Sequence, residues 1–585
     1  MGPARPFLAR CASVVRFLAG VPAWAAVLRA LILVALALAL AAPRADAQQP
    51  GGERDPTAAA RQALQRRRGE FGWPLDLSDL RWLGVTPSLG ADHVRFQQTV
   101  AGWPVYGAYV TVHVPRGDPT GRLTPRVTSR YRSNARAPSL SAGAILTRAA
   151  AIRIAGDAVG GDGRRRGEVS AEQVVYPGDG PYRLAWRIVT PAREPLGDWE
   201  VFIEAARGTV LDRRNRIVFD GPASRVGVED PADAAWPGPR RPVAAAVSAC
   251  GGSPDTGWVF DPNPVVTAGD TSLRDDGDAD SAALAAQRRV VGLPGLDGGG
   301  RLRGPYADLT APGIVGGYRP AGQADEPVCR DYDYPRSDDR FEEVTAYYHI
   351  DRVQRYLQSL GFTHVVSRPT PIHAHYFAFD QSFYSFYDRG LHFGDGGVDD
   401  AEDADIIVHE YGHAIQDDQV PGWGASEESG AMGEGFSDYL AAAMFADVNG
   451  GFDRTCVGDW DATSYSAAGP PCLRRVDGPK HYPEDMTGRV HRDGEIWSAA
   501  LWQLRLSLAD APLVDRLIVE SQFGLDPVAG FVDGANAVLA ADGDLYGGSH
   551  QAALCRVFAE RGILSTCARY GRGDIKTYLP NLNRE

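Results

Sequence analysis

The sequence predicts an α+β fold that changes from strand-rich at the front to mainly helical at the back. Three observations predict it. Paired strand-like runs occupy the chain up to Phe219, short strands among Gly, Asp and Pro continue to about Pro312, and helical periods dominate from Asp405 onward. This order predicts a two-lobed domain, with a β-containing N-terminal lobe, a mainly helical C-terminal lobe and a cleft between them, preceded by smaller α+β modules.

The composition is that of a globular protein. Of the 585 residues, 44% are hydrophobic and 23% are charged, which excludes a fibrous or wholly disordered chain. The formal net charge is -14. No basic excess is therefore available to neutralise phosphates, and we expect no nucleic-acid partner.

The first 47 residues have the pattern of a secretory signal. Arg29 is the last of several arginines before an apolar run from Ala30 to Ala42, and Ala45-Asp46-Ala47 supplies small residues for cleavage. The run is about 13 residues long and a bilayer span needs about 20, which disfavours the alternative of a membrane anchor. We expect a secreted, extracellular protein without membrane association after signal cleavage.

The cysteine count fits export. Removing Cys11 with the signal leaves six of the seven cysteines, and an even number in an exported chain favours disulfides. Close spacing suggests Cys456 with Cys472 and Cys555 with Cys567, which leaves Cys250 with Cys329. Spacing alone does not choose among the connectivities, and buried free thiols stay an alternative.

Local patterns predict the elements in order. Before residue 220 the helical stretches are Ala58–Arg68 and Leu146–Val159, and the paired strand runs are Val94–Val100 with Val105–Val114, and Tyr182–Val189 with Trp199–Ile203. A proline-containing stretch from Pro231 to Pro242 then predicts an exposed linker and a proteolysis site. The later helical stretches are Arg340–Leu360, Asp405–Gln416, Met432–Val448, Asp493–Leu508 and His550–Arg561.

The motif HEYGH lies in the second of these later helices. Its histidines, His409 and His413, are four residues apart, so the helical period puts both imidazoles on one face within reach of one metal ion. Glu410 flanks the metal position and can contact a bound water without acting as a ligand. Two solvated histidines remain the alternative until a third ligand is found.

A hydrolytic zinc site keeps three protein ligands and one open position. Gln416 and Gln419 occupy the positions that a Gly and a third His would need in one known arrangement, so that arrangement fails. Glu434 in GAMGEGFSD fits as the third ligand. Asp438, one turn later, is placed to accept the free ring N–H of His409. Glu427 and Glu428 are the competing carboxylates, and we interpret them as charges at a helix N-terminus.

With HEYGH followed by GAMGEGFSD, the chain resembles the fungalysin family of secreted zinc metalloproteases, relatives of thermolysin. The likeness extends to Phe260–Val265 and Glu343–His349, while Phe96–Val114 is similar to the fungalysin/thermolysin propeptide (FTP) module and Tyr182–Leu211 to a PepSY module. The resemblance implies a two-lobed zincin fold and one Zn²⁺ per chain. It also implies a secreted endopeptidase, expected as a monomer, that acts on protein and peptide substrates and is inhibited by its own propeptide.

The resemblance also divides the chain. The implied parts are a signal peptide at 1–47, a propeptide at 48–225 with an FTP-like part at about 75–116 and a PepSY-like part at about 140–220, a linker at 226–250 and a catalytic domain at 251–585.

Further site residues follow from the family only. His491 matches the histidine that stabilises the tetrahedral intermediate, and Arg474 the arginine that holds a substrate carbonyl, although the adjacent Arg475 competes. Ser382-Phe383-Tyr384 aligns loosely with the edge strand that pairs with a peptide backbone, but its aromatic residues fit a core equally well. One departure is Ala425, which stands where thermolysin has a tyrosine, so oxyanion stabilisation would rest more on His491.

Two acidic stretches bear on calcium. Asp275–Asp280 lacks the turn glycine and the distal glutamate of an EF-hand, which favours a solvated loop. Asp399–Asp405 precedes the motif helix, where negative charge favours the helix N-terminus, and related enzymes bind calcium near this position. A Ca²⁺ site there stays open.

Two other functions stay open. One is an exported inhibitory or binding protein that keeps the propeptide-like modules but has lost catalysis. The other is a zinc exopeptidase with the same site chemistry.

Overall fold

The computed structural model describes residues 55–74, 76–116, 124–135, 145–160, 165–178, 181–220, 255–297, 301–310, 331–377, 379–465 and 469–565. The described residues from Pro56 onward belong to one compact unit. The predicted signal, the predicted linker and Cys250, Cys329 and Cys567 lie outside the described residues, so the two disulfides that involve these cysteines stay predictions. Among the described helices, none is long and apolar enough to cross a bilayer.

The first part of the structure is a mixed module built on one eight-stranded sheet. Its helices are α1 (Pro56–Phe71) and α2 (Arg148–Ala158), and its strands are β1 (Leu80–Pro87), β2 (Ala91–Val100), β3 (Trp103–Pro115), β4 (Arg126–Ser129), β5 (Ser170–Tyr176), β6 (Arg183–Arg193), β7 (Leu196–Glu204) and β8 (Val210–Asn215). The strand order is β1-β2-β3-β5-β6-β7-β8, and β4 pairs with β3. Both predicted hairpins, β2–β3 and β6–β7, are confirmed.

The turn between β2 and β3 explains why that hairpin was recognisable. Ala101 and Gly102 both have positive φ, 51° and 86°, which is the geometry of the two-residue turns that match strand twist. The valines alternate because only one face of this strand pair is buried. Val94, Val110 and Val112 lie on that face and pack in the core beneath α1.

The next part places short strands around the first long helix. Its elements are β9 (Thr256–Val259), α3 (Pro264–Ala268), α4 (Ala282–Ala285), β10 (Arg289–Gly292), β11 (Ala307–Asp308), β12 (Asp331–Tyr332), α5 (Arg340–Ser359), β13 (Thr370–Phe377), β14 (Phe383–Ser385) and β15 (Gly390–Gly394). One sheet has the order β10-β9-β12 and another the order β11-β13-β15-β14, which puts β14 at an edge.

The last part is helical. It contains α6 (Ala404–Gln419), α7 (Glu427–Phe445), β16 (Cys456–Val457), β17 (Arg474–Arg475), α8 (Val490–Leu508), α9 (Ala511–Gln522), α10 (Phe531–Tyr546) and α11 (Gln551–Glu560), with 3-10 turns at Asp400–Glu402, Val448–Gly450 and Asp461–Ser464. Helices α5 to α11 and the short strands share one apolar core. The α+β class is therefore confirmed, and α9 and α10 are helices that the sequence patterns had not indicated.

The disulfide between Cys456 and Cys472 is confirmed. Its Cα atoms are 5.7 Å apart, and it joins β16 to the segment that leads into β17. The bridge fixes the approach to Arg474, two residues further on.

Candidate metal centre and active site

Helix α6 carries the HEYGH motif inside the core. Asp403 caps the helix, because its carboxylate accepts the backbone N–H of Asp405 at 3.0 Å. His409 is fully buried and His413 is nearly so. Their Nε2 atoms lie 3.3 Å apart, as expected for imidazoles one turn apart on the same helix face.

Helix α7 brings Glu434 to the two histidines. Its Oε2 lies 3.2 Å from Nε2 of His409, and its Oε1 lies 3.4 Å from Nε2 of His413. A tetrahedral zinc ion with bonds of about 2.0–2.2 Å holds its ligand atoms about 3.3 Å apart. The spacing of these three buried donors, two nitrogens and one oxygen, therefore fits one zinc ion.

The competing carboxylates stand elsewhere. Glu427 and Glu428 are the first two residues of α7, as interpreted from the sequence, and the helix starts with a reciprocal cap between Ser426 and Ser429. Glu428 instead accepts the backbone N–H of Phe531 at 3.0 Å. Both residues lie in the first turn of α7, about two helical turns before Glu434.

Glycines let the three site helices approach closely. A Cβ atom on Gly412 would clash with Oγ of Ser437, and one on Gly494 would lie 2.8 Å from Cβ of Glu434. The glycine inside HEYGH and the glycine that follows His491 in α8 therefore set the distances between α6, α7 and α8.

Asp438 lies where the sequence predicted it. Its Oδ1 is 2.9 Å from Nδ1 of His409. A carboxylate at Nδ1 favours the tautomer that leaves Nε2 free to bind a metal, and it fixes the orientation of the ring.

Arg474 is the arginine at the centre of the site. Its Nε and Nη2 contact Oδ2 and Oδ1 of Asp438, both at 2.8 Å, and Nη2 lies 3.3 Å from Nδ1 of His409. Arg475 points away, because its side chain is 40% exposed and pairs with Asp453 and Asp477. The structure thus distinguishes the two arginines that the sequence could not rank.

Glu410 is a buried carboxyl group beside the three donors. It has no exposed surface, and neither of its carboxylate oxygens has a hydrogen-bond partner among the described residues. Burial is the largest cause that raises the pKa of Glu410 well above its ordinary value, and the nearby carboxylate of Asp220 adds to it. Such a group readily holds a proton, as a general base requires.

His491 faces the same point from the first turn of α8. Its Nε2 lies 3.3 Å from Oε2 of Glu434 and is a buried nitrogen without a hydrogen-bond partner among the described residues. The helix start is held by Asp493, which accepts the backbone N–H groups of Thr487 and Gly488 at 2.8 and 2.9 Å. His491 is therefore held in position with its ring nitrogen directed into the site.

In the predicted substrate strand, the side chains of Phe383 and Tyr384 belong to the core. Only the backbone of Ser382 is directed toward the site. Phe383 is buried and packs edge to face against Phe219. Tyr384 is buried and donates to Asp417 at 3.1 Å. Ser382, by contrast, has a backbone that forms an antiparallel pair with another segment.

The residue opposite Ser382 is Asp220, a site residue that the sequence analysis missed. The N–H of Asp220 donates to the carbonyl of Ser382, and the N–H of Ser382 donates to the carbonyl of Asp220, both at 2.9 Å. The carboxylate of Asp220 lies against both terminal nitrogens of Arg474, one contact being 2.9 Å, and its Oδ2 is 3.9 Å from Nε2 of His409.

The electrostatics suit an ionised Asp220. Burial favours the neutral acid, but Arg474 and then His409 outweigh it and hold the pKa of Asp220 well below its ordinary value. The only sequence signal is a carboxylate directly after the apolar triplet Ile217-Val218-Phe219, just before the proline-rich stretch.

The fold and the site define a class: an α+β protein with a metallopeptidase-type centre of two helical histidines and a glutamate from the next helix. Residues 395–566 match the profile of the fungalysin metallopeptidase family, and residues 85–120 match the fungalysin/thermolysin propeptide motif. The resemblance expected from HEYGH and GAMGEGFSD is therefore confirmed over these residues.

Two similar proteins are named extracellular metalloproteinases. The chain is 28% identical over 205 residues to the extracellular metalloproteinase mep of Aspergillus fumigatus, covering 28% of this chain and 31% of that protein. It is 29% identical over 203 residues to the extracellular metalloproteinase MEP of Fusarium vanettenii, covering 29% of this chain and 32% of that protein. The match spans about a third of the length of these relatives.

A solved structure, the YpeB C-terminal domain of Bacillus megaterium, is similar at 11% sequence identity with a TM-score of 0.17, covering 28% of this chain and 66% of that one. A score this low carries no argument about the present fold.

Proposed function

We propose that the protein is a secreted, zinc-dependent endopeptidase that hydrolyses internal peptide bonds and is made as an inhibited precursor. The observation that carries the proposal is the triangle of His409, His413 and Glu434 donor atoms, 3.2 to 3.4 Å apart, beside the unpaired carboxyl of Glu410. Three ligands with one open position are typical of catalytic zinc.

In this proposal His409, His413 and Glu434 hold one Zn²⁺ per chain. The ion, when bound, supplies a Lewis acid and lowers the pKa of a coordinated water toward neutrality. Glu410 accepts the proton of the attacking water and later returns it to the leaving amine, because its buried carboxyl group has no hydrogen-bond partner among the described residues.

Two groups support this chemistry. His491 donates an N–H from Nε2 to the oxyanion of the tetrahedral intermediate, as its direction into the site allows. Asp438, clamped by Arg474, fixes the ring of His409. We also propose that Arg474 turns to a substrate carbonyl once Asp220 has left.

The proposed organisation follows the sequence divisions. A signal peptide covers 1–47, a propeptide 48–225, a linker that is cut on activation 226–250, and a two-lobed zincin catalytic domain 251–585. The chain would act as a monomer on protein or peptide substrates outside the cell, in line with the extracellular relatives.

The propeptide would inhibit by occupying the substrate position. Asp220 pairs with the backbone of Ser382 on the edge-strand side as a peptide substrate would, and its carboxylate neutralises Arg474. Ile217 and Phe219 pack with Phe383 in one apolar cluster. The carboxylate of Asp220 thus stands beside Nε2 of His409, where a reacting carbonyl would have to enter.

Contacts far from the site support the same arrangement. Arg126 pairs with Asp544 at 2.9 Å, and Arg130 pairs with Asp526 at 2.6 Å. Glu520 accepts from the Ser88 hydroxyl at 2.6 Å. These contacts join the propeptide-like sheet to α9, α10 and the loop between them, so the inhibitory segment is held by an extended interface.

The test is Glu410→Gln in the processed protein. This variant should keep one zinc ion per chain by metal analysis and lose cleavage of casein and of N-terminally blocked peptides by orders of magnitude, because only the base is removed. Glu434→Gln should lose zinc, whereas Glu427→Gln, the matched control at the start of α7, should keep both zinc and activity.

The outcomes separate the rival functions. An active Glu410→Gln variant refutes the role of this carboxylate. A processed parent that cuts only peptides with a free N-terminus is an exopeptidase. A processed parent that holds zinc but cuts nothing, while residues 48–225 inhibit other proteases, is an inhibitory protein.

A further inference from the structure

The segment that leads to Asp220 continues alongside the edge strand. The pair between Asp220 and Ser382 is antiparallel, so the residue four positions before Asp220 comes opposite the residue four positions after Ser382. These two residues are Arg216 and Phe386. The guanidinium carbon of Arg216 lies 4.8 Å from the centre of the Phe386 ring, so the two chains run side by side at least this far.

The side chain of Arg216 is buried against residues of the proposed catalytic domain. Its Nη2 donates to the carbonyl of Trp423, in the turn between α6 and α7. Within its own module Arg216 acts electrostatically on Glu200, but that carboxylate is already paired with Arg187 and Arg214. The guanidinium is therefore received by an aromatic face and a carbonyl dipole outside its own module.

The groups that receive Arg216 are fixed by contacts within the proposed catalytic domain. Phe386 packs edge to face against Tyr384, with 5.3 Å between the ring centres. The Tyr384 hydroxyl donates to Asp417 at 3.1 Å. Asp417 also accepts the N–H of Gly422 at 3.2 Å, which holds the turn that presents the Trp423 carbonyl. Release of the propeptide removes none of these contacts, so the aromatic face and the carbonyl keep their positions.

Asp417 also supplies negative charge. It is buried, and Arg216 acts on it electrostatically. Arg389, a half-exposed residue, approaches the same carboxylate only to 3.9 Å. A cation over Phe386 is thus favoured by the face of the ring, by a carbonyl oxygen and by a carboxylate at longer range.

We propose that this position is a substrate subsite for a basic side chain, arginine above all, because a planar guanidinium stacks on an aromatic face. The proposal rests on the endopeptidase function proposed above. Once the propeptide has left, an extended substrate on the same edge strand puts its own side chain between Phe386 and the Trp423 carbonyl. A substrate residue at the position of Asp220 lies next to the scissile bond, so the basic residue is the fourth or fifth residue before the cut.

The experiment uses the processed protein and quenched fluorescent peptides of identical composition, in which a single arginine is moved along the positions before the cut. Constant composition matters, because a chain with a net charge of -14 attracts any basic peptide. Arginine at the fourth or fifth position should raise kcat/KM about tenfold over the other positions. Replacing that arginine by glutamate should lower kcat/KM below the value for glutamine. Mass spectrometry of the products fixes the position of the cut.

Two variants assign the preference to the ring. Phe386→Leu keeps the apolar volume but removes the aromatic face, so the preference should fall to about twofold or less. Tyr387→Leu is the matched control. The oxygen of Tyr387 accepts the N–H of Glu168 in the propeptide-like module at 2.7 Å, so this neighbouring aromatic residue is engaged by the propeptide and not by the subsite. The control should keep the full preference.

A binding measurement separates the subsite from the proposed function. With zinc removed by a chelator the peptides are not cut, and the fluorescence anisotropy of labelled peptides should still show the arginine preference. A protein with this binding preference that cuts no peptide in zinc refutes the endopeptidase and keeps the subsite. Equal kcat/KM and equal affinity at every position of the arginine refute the subsite, as does an undiminished preference in Phe386→Leu. If that variant does not fold, the peptide series on the parent decides.

Discussion

Replacing Asp220 by asparagine should loosen the proposed inhibitory segment without disturbing the proposed zinc site. The carboxylate is almost fully buried and is held by Arg474, so the change removes one partner of a buried ion pair. Such losses cost about 3–5 kcal/mol. We expect the lower end, about 3 kcal/mol, because the amide oxygen still accepts one N–H, and this corresponds to a factor of about 100 in the equilibrium between docked and released segment.

The assay is the affinity of the uncut Glu410→Gln precursor for a fluorescent peptide hydroxamate, which reaches the site only when the segment is released. Asp220→Asn should bind it about 100-fold more tightly than the parent. Asp212→Asn in β8 is the matched control, because its side chain is 36% exposed and lies on the same strand that leads to Asp220. It should bind like the parent.

Equal hydroxamate affinity in Asp220→Asn and the parent, with zinc content and unfolding temperature unchanged, would refute the reasoning. The inhibitory interaction would then reside in the apolar contacts or the distant ion pairs.

The remaining predictions concern catalysis, packing and pH. His491→Ala should lower kcat about 10²- to 10³-fold at unchanged zinc content, since it removes one oxyanion donor; an unchanged kcat would assign the ring to structure. Gly412→Ala should cost about 1–3 kcal/mol in urea unfolding, because the new methyl clashes with Ser437, whereas Gly69→Ala, with open space around it, should be neutral or stabilising. Burial lowers the pKa of His349 to about 4, so the unfolded chain binds its proton first and stability falls as the pH drops from 6.5 toward 4. This acid loss should amount to about 3 kcal/mol and shrink in His349→Gln; an unchanged acid profile would contradict it.

The grouping of His409, His413 and Glu434 could be predicted because its information is local. Two histidines four residues apart share a helix face in any α-helix, and Glu434 follows in a pattern that is helical by itself. The position of Asp438 could be predicted for the same reason, because it lies one helical turn beyond Glu434. Arg474 and Arg475 could not be separated, because adjacent strand residues point to opposite faces and only the packing of β17 decides which faces the site.

Contacts between residues far apart in the chain could not be predicted from the sequence. Asp220 contacts the site from a distant part of the chain, and the apolar triplet before it does not by itself identify Asp220 as the partner of Arg474. Helix α10 was missed because Gly534 and Gly543 weaken its helical propensity, and packing of the helix against its neighbours compensates.

The backbone pairing of Asp220 with Ser382 has a consequence for the order of events during maturation. Asp220 precedes and Ser382 follows the proposed linker at 226–250. Cutting that linker would therefore break no hydrogen bond of this pair and none of the ion pairs made by Arg126 and Arg130. Cutting would convert a covalent precursor into a two-chain complex, and turnover would begin only when the fragments dissociate. Nicking and the onset of turnover should therefore be separable in time, with the second step hastened by dilution.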